Sequence, residues 1–168
     1  MKKRVTALLL FATFVSLFLG YWIKRPCVVG EWGDRREFHR LCYNDIQALF
    51  HSRNLHLRRF PYIEEKSYEY PVITGILLWL PSLLVKDKNE FFYANLVLLS
   101  LAAFLTTAAL IRVAGPRRRI LVFAAGTPLI LYAYLNLDLY AVVCVALAMW
   151  AWKEKKKFWA GAAIGAGF

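Results

Sequence analysis

Residues Val5 to Ile23 form an unbroken run of 19 residues without a formal charge, and no other feature limits the possible folds as strongly. As an α-helix rising about 1.5 Å per residue, the run nearly matches a hydrocarbon core about 30 Å thick. Lys2, Lys3 and Arg4 precede it, and Tyr21, Trp22, Lys24 and Arg25 close it as an interfacial anchor. The competing reading is a cleaved signal peptide, which has an apolar stretch of about 7–15 residues and a small-residue cleavage site. This run is longer and no such site follows it. The pattern therefore predicts an uncleaved first span, 5–23, with a cytoplasmic N-terminus.

Further apolar runs follow at 72–85, 91–111, 120–134, 139–152 and from 158 to Phe168. Hydrophobic residues make up 60% of the chain, above the roughly 45–50% usual in soluble domains. A soluble domain of this size would have to expose much of that surface, whereas lipid can cover it. The net charge of +11 does not point to nucleic acid, because the basic residues cluster between apolar runs. There they report topology and anionic headgroups. Arg112 with Arg117, Arg118 and Arg119 form one cluster, and Lys153 with Lys155, Lys156 and Lys157 form another. Both face the cytoplasm if 91–111 crosses inward, 120–134 outward and 139–152 inward. That arrangement requires 72–85 not to cross. This run is short, Pro71 can start a helix there, and Pro81 kinks or breaks it. The expected fold class is thus all-α: a polytopic transmembrane helix bundle in the plasma membrane. Its first extracytoplasmic loop is long (24–71) and leads into a juxtamembrane helix (72–85).

Within the outer loop, Asn44 or Asp45 can cap a short helix in which Ile46, Leu49, Phe50 and Arg53 fall at helical spacing. Such an amphipathic helix suits a membrane surface, or packs on its own loop. Cys27 and Cys42 share this segment and can pair in an oxidising compartment, although spacing alone does not decide it. Cys144 reads as a small buried hydrophobe. Acids close to lipid are costly and tend to face cavities, which singles out three. Asp45 starts the short helix, Glu69 lies in Tyr68-Glu69-Tyr70-Pro71, and Asp138 interrupts two apolar runs after Asn136. Each also has a structural role open to it: a cap, a first-turn acid and an exposed turn residue. His39, His51 and His56 match no metal signature, and no metal-ligand set, phosphate loop or cofactor motif is present. Gly161, Gly165 and Gly167 fit close helix packing.

The succession CYNDIQALF, RFPY, EYPVITGILLW, NLDLYAVVCVALAMWAW, a lysine cluster and WAGAAIGAG resembles the polyprenol-phosphate-mannose-dependent mannosyltransferases of the GT-C glycosyltransferase superfamily. The likeness is to their actinobacterial members and spans about residues 40–168. It implies a membrane enzyme of cell-envelope biogenesis. Such an enzyme transfers a sugar, mannose or another hexose or pentose, from a polyprenyl-phosphate donor to an extracytoplasmic glycan or glycolipid, without a cofactor. It further implies that Asp45, in YND, is the general base. Glu69, Tyr70 and Pro71 match the tyrosine-proline motif at the second juxtamembrane helix. Asn136 and Asp138 match a polar motif between two later spans, which reads NLD here where relatives often have glycine-glutamine-x-asparagine. Family members are more than twice as long, so residues 1–168 are expected to be the N-terminal part, inactive alone, with the donor-phosphate residues in the rest.

The chemistry is compatible with that reading. A carboxylate at a membrane-edge cavity can take the proton of an attacking hydroxyl. Arg53, Arg58 or Arg59 can stabilise the departing phosphate, or anchor the loop to membrane lipids. The alternative is a non-catalytic multi-pass protein: a transporter half, a scaffold or an anchor subunit. A transporter should show broken helices with mid-membrane charges and a repeated half, and neither is visible in the sequence.

Overall fold

A computed structural model describes residues 2–30, 32, 35–63 and 69–167. Met1, Tyr68 and Phe168, which the sequence expectations include, lie outside the described residues. The described regular structure is all helical, with no strand. Its α-helices are α1 (Lys2–Val29), α2 (Arg36–His39), α3 (Asp45–Ser52), α4 (Val72–Ser82), α5 (Lys88–Ala114), α6 (Leu121–Ala124), α7 (Thr127–Tyr132), α8 (Asp138–Lys153) and α9 (Lys157–Gly167). Short 3-10 turns lie at Leu55–Leu57 and Arg118–Ile120.

Among the described residues, two helices, α1 and α5, are long and apolar enough to cross a membrane. Only 28% and 33% of their most apolar 18-residue windows are buried. The core helix of a soluble fold is mostly covered, so these two expose what such a helix hides. Phe11, Phe14 and Phe18 on α1, and Val97, Leu101 and Leu105 on α5, face outward.

Local chemistry explains where most elements begin and end. Asp87 caps α5, its Oδ1 accepting from the N–H groups of Asn89 and Glu90 at 2.8 and 2.9 Å. The Glu90 carboxylate accepts from the Lys86 N–H at 2.7 Å, so the helix start is tied from both sides. At the far end Gly115 adopts φ 72°, the left-handed geometry that stops a helix without a Cβ clash. The Lys153 ammonium of α8 donates to the last-turn carbonyls of Arg112 and Val113, which favours the negative end of the helix dipole. α4 covers Val72–Ser82 and ends one residue after Pro81. The proline lies in the last turn and no kinked continuation follows it.

Two expectations differ. Gly161 and Gly165 have open space where a Cβ would stand, and only Gly167 of the three packs closely, on Cys144 of α8. Residues 120–134, read as a single span, form α6 and α7 with a break at Ala125–Gly126. Gly126 is extended and Pro128 lies in the first turn of α7. Proline supplies no N–H to continue the α6 ladder, and its ring suits a helix start. The 139–152 run becomes α8, of 16 residues, about 24 Å at 1.5 Å per residue.

Packing sets the position of the helix ends. α1 lies against α5 through a Thr13–Thr107 hydroxyl bond of 2.8 Å, and against α6 through Ser16 Oγ, which donates to the Ala124 carbonyl at 2.8 Å. Four residues after Ser16, Gly20 meets α7 so closely that a Cβ would come within 2.8 Å of the Ile130 carbonyl oxygen. The small residues Ser16 and Gly20 therefore permit the approach that brings the end of α1 beside the α7–α8 connection. At the same end of the molecule, α3 packs on α5, where the Phe50 and Phe91 rings stack at 4.8 Å. Cys27 and Cys42 form a disulfide, with Cα atoms 5.9 Å apart. It ties the last turn of α1 to the chain leading into α3.

Candidate functional site

The site is built where the end of α1, the start of α3, the entry to α4 and the α7–α8 connection converge. Asn44 is the cap of α3: its Oδ1 accepts from the Gln47 N–H at 2.8 Å. Asp45 is the first helical residue, and its carboxylate is free of capping duty. Its own N–H donates across the fold to the Leu135 carbonyl at 2.7 Å. This bond fixes the α3 start beside Asn136 and Asp138.

Both oxygens of the Asp45 carboxylate are engaged by tyrosines. The Tyr43 hydroxyl donates to Oδ1 at 2.7 Å and the Tyr70 hydroxyl to Oδ2 at 3.4 Å. Burial, then the adjacent Asp45 charge and bond, push the Tyr70 phenol up to about 12, with Asp138 adding to the effect. The hydrogen bond to Asp45, followed by burial, also raises the Tyr43 phenol. Both phenols are therefore protonated donors at neutral pH. Two donors fix the plane of the carboxylate while leaving each oxygen a further lone pair. Lys24, buried at the end of α1, donates to the Tyr43 carbonyl and lies within electrostatic reach of Asp45.

The entry to α4 is held by Tyr62. Its hydroxyl is 3.0 Å from both the Tyr70 and Pro71 carbonyl oxygens, and the Gly75 N–H also meets it. A Cβ on residue 75 would lie 2.0 Å from the Tyr62 oxygen, so glycine is what lets the ring reach the helix. Trp79 Nε1 donates to the Arg58 carbonyl at 3.2 Å, and its ring meets Phe60 edge-on at 5.1 Å. These contacts fold the loop after α3 onto α4.

The residues singled out from sequence thus separate into groups. Asp45 and Tyr70 are bonded, and Asp138 is close enough for its charge to act on Tyr70. Asn136 donates to the Asp138 carboxylate at 2.7 Å and accepts from the Asp138 N–H at 3.2 Å, so this pair orders the start of α8. Glu69 turns away to pair with Arg53 at 3.0 Å. With the Glu69 side chain 85% exposed, this is a surface ion pair that clamps the loop weakly. Arg58 and Arg59 are exposed. Sequence reasoning passed over Tyr43, Lys24 and Tyr62. Tyr43 stands in the YND triplet itself, two residues before the acid, and was legible there. Lys24 reads from sequence as a headgroup anchor, and its burial and its bond to the Tyr43 carbonyl show it turned inward.

No protein-family model, curated protein or solved structure matches the chain.

Proposed function

We propose that the protein is a polytopic membrane glycosyltransferase. It takes a sugar, mannose in the first instance, from a polyprenyl-phosphate donor and passes it to an extracytoplasmic glycan or glycolipid, with Asp45 as general base. The observation that carries this reading is the Asp45 carboxylate, which is half-buried, oriented by two phenols and spared from capping by Asn44. An acceptor hydroxyl attacking the anomeric carbon loses its proton as it attacks, and a positioned carboxylate is a suitable acceptor for that proton. The bond that breaks joins the anomeric carbon to a phosphate oxygen, and polyprenyl phosphate leaves with the electron pair. A phosphate is a good leaving group, so the mechanism calls for no protein acid.

Tyr43 and Tyr70 act as positioning residues. Fixing the carboxylate plane aims the oxygen lone pairs and lowers the cost of reaching the attack geometry. Asn136 and Asp138 form the opposite polar edge, where sugar hydroxyls can bond. The disulfide supports an extracytoplasmic site, since such bonds persist in oxidising compartments. The shortness of α4 supports its lying at the membrane surface.

The test is sugar transfer by membranes carrying the full reading frame with Asp45→Asn or Glu69→Gln. This reading expects loss for the first and retention for the second. The reverse pattern moves the base to position 69. Activity in both variants removes the chemistry from this loop.

A further inference from the structure

A groove with a volume of ≈ 520 Å³ opens beside the Asp45 site, lined among others by Trp22, Ile23, Lys24, Arg40, Leu131 and Leu135. Its walls are apolar side chains from the end of α1 and from α7, and its cations are Lys24 and Arg40. Arg25, outside the lining, stacks over the Trp22 ring at 5.2 Å. Among the described residues the lining holds no carboxylate. Trp22 and Lys24 directly follow the long apolar run of α1, which puts them at headgroup depth if α1 spans. We propose that this groove binds an anionic membrane lipid through its phosphate, the phosphate meeting Arg40, the buried Lys24 adding its positive charge behind it, and the first part of the lipid chain lying on Ile23, Leu131 and Leu135.

Three physical features favour this occupant. Cations at the rim of an apolar wall match an amphiphile with an anionic end, whereas a free anion leaves the wall unused and a neutral lipid leaves the cations unused. The exposed Arg40 guanidinium offers a planar fork suited to phosphate oxygens. The groove also adjoins the catalytic candidate: Lys24 donates to the Tyr43 carbonyl and Leu135 accepts from the Asp45 N–H. A phosphate seated there is next to Asp45. The inference rests on α1 spanning the membrane and is independent of any transfer step.

The experiment is native mass spectrometry of the full protein in neutral detergent with dioctanoyl phosphatidic acid, dioctanoyl phosphatidylcholine or inorganic phosphate. Arg40 is the residue to vary, because it is exposed and Lys24 is structural. Phosphatidic acid should bind the wild type at lower concentration than the other two. Arg40→Gln should weaken it about ten-fold or more, the scale of one charge-assisted bond, and Arg40→Lys, which keeps the charge but not the fork, should restore part of it. Equal binding of phosphatidylcholine, equal binding of inorganic phosphate, or an Arg40→Gln variant that binds as the wild type would each overturn the proposal. Because the readout involves no turnover, a negative result here leaves the proposed function standing. Loss of the proposed function likewise leaves this site standing.

Discussion

The main-chain N–H of Asp45 donates to the carbonyl oxygen of Leu135 at 2.7 Å. The bond joins the start of α3 to the residue just before the Asn136–Asp138 pair, two regions far apart in sequence. It also explains why Asp45 and Asn44 have divided their tasks. The Asp45 amide is committed across the fold, the Asn44 side chain accepts from the Gln47 N–H, and the Asp45 carboxylate is left to the two tyrosines.

That division can be measured. Asn44→Ala should cost about 1 kcal/mol, the usual loss for a deleted cap. Asp45→Asn should cost less than that, because it removes no cap and the amide can still bond both phenols, accepting from one and donating to the other. Thermal unfolding of the purified protein in detergent checks both, and a larger loss for Asp45→Asn than for Asn44→Ala contradicts the assignment.

The disulfide closes a loop of sequence separation 15 between α1 and the approach to α3. For a loop of that size the chain-entropy contribution is about 3 kcal/mol. Cys27→Ser together with Cys42→Ser should lower stability by that order and loosen the Lys24–Tyr43 contact. Among residues 1–168, only Cys144 should react with a thiol probe in denaturant without reductant, and Cys27, Cys42 and Cys144 after reduction, as read by peptide mapping.

Gly75 and Tyr62 should behave as a coupled pair. Gly75→Ala pushes a methyl group into the Tyr62 ring and should cost about 1–3 kcal/mol by overpacking. Tyr62→Phe alone should cost about 1 kcal/mol for its lost bonds. The double variant should cost less than the sum, because the missing hydroxyl removes the closest of the clashes with the added Cβ. Strict additivity in the unfolding free energies would show that the two do not touch.

The proposed topology has its own test. With Cys144 replaced and the disulfide kept, a cysteine at Lys88 should react with an impermeant probe from outside intact cells, and one at Arg118 only after the cytoplasmic side is opened. A cysteine at position 88 that labels only from the cytoplasm contradicts an α4 that stays on the outer face.

The long helices were legible because length and uninterrupted apolarity suffice to define them, and the structure extends the expected 5–23 and 91–111 runs by a few residues at each end. The break at Ala125–Gly126 was signalled by Gly126-Thr127-Pro128, but the hydrophobicity of the flanks masked it. Asn44 and Asp45 are equally good caps by local pattern. The structure separates them: the Asn44 side chain accepts from the Gln47 N–H, and the Asp45 N–H is held by Leu135, a tertiary contact. Pairing of Cys27 with Cys42 likewise depends on how the chain returns to α1, which spacing does not encode. Of the candidate site, Asp45, Tyr70 and Asp138 were found because acids and a Tyr-Pro step are conspicuous in apolar surroundings. Tyr43 and Lys24 were missed because each has an ordinary role in its own segment.

The central claim is that Asp45 accepts a proton during sugar transfer, and the most direct measurement is turnover of the full reading frame carrying Asp45→Asn. Membranes are supplied with radiolabelled polyprenyl-phosphate mannose, and label entering glycan or glycolipid is counted against wild type at matched protein level. An amide keeps the shape of the carboxylate but cannot take the proton, so the account predicts a loss of about 10²–10⁴-fold with thermal stability little changed. Turnover within a few-fold of wild type would contradict it.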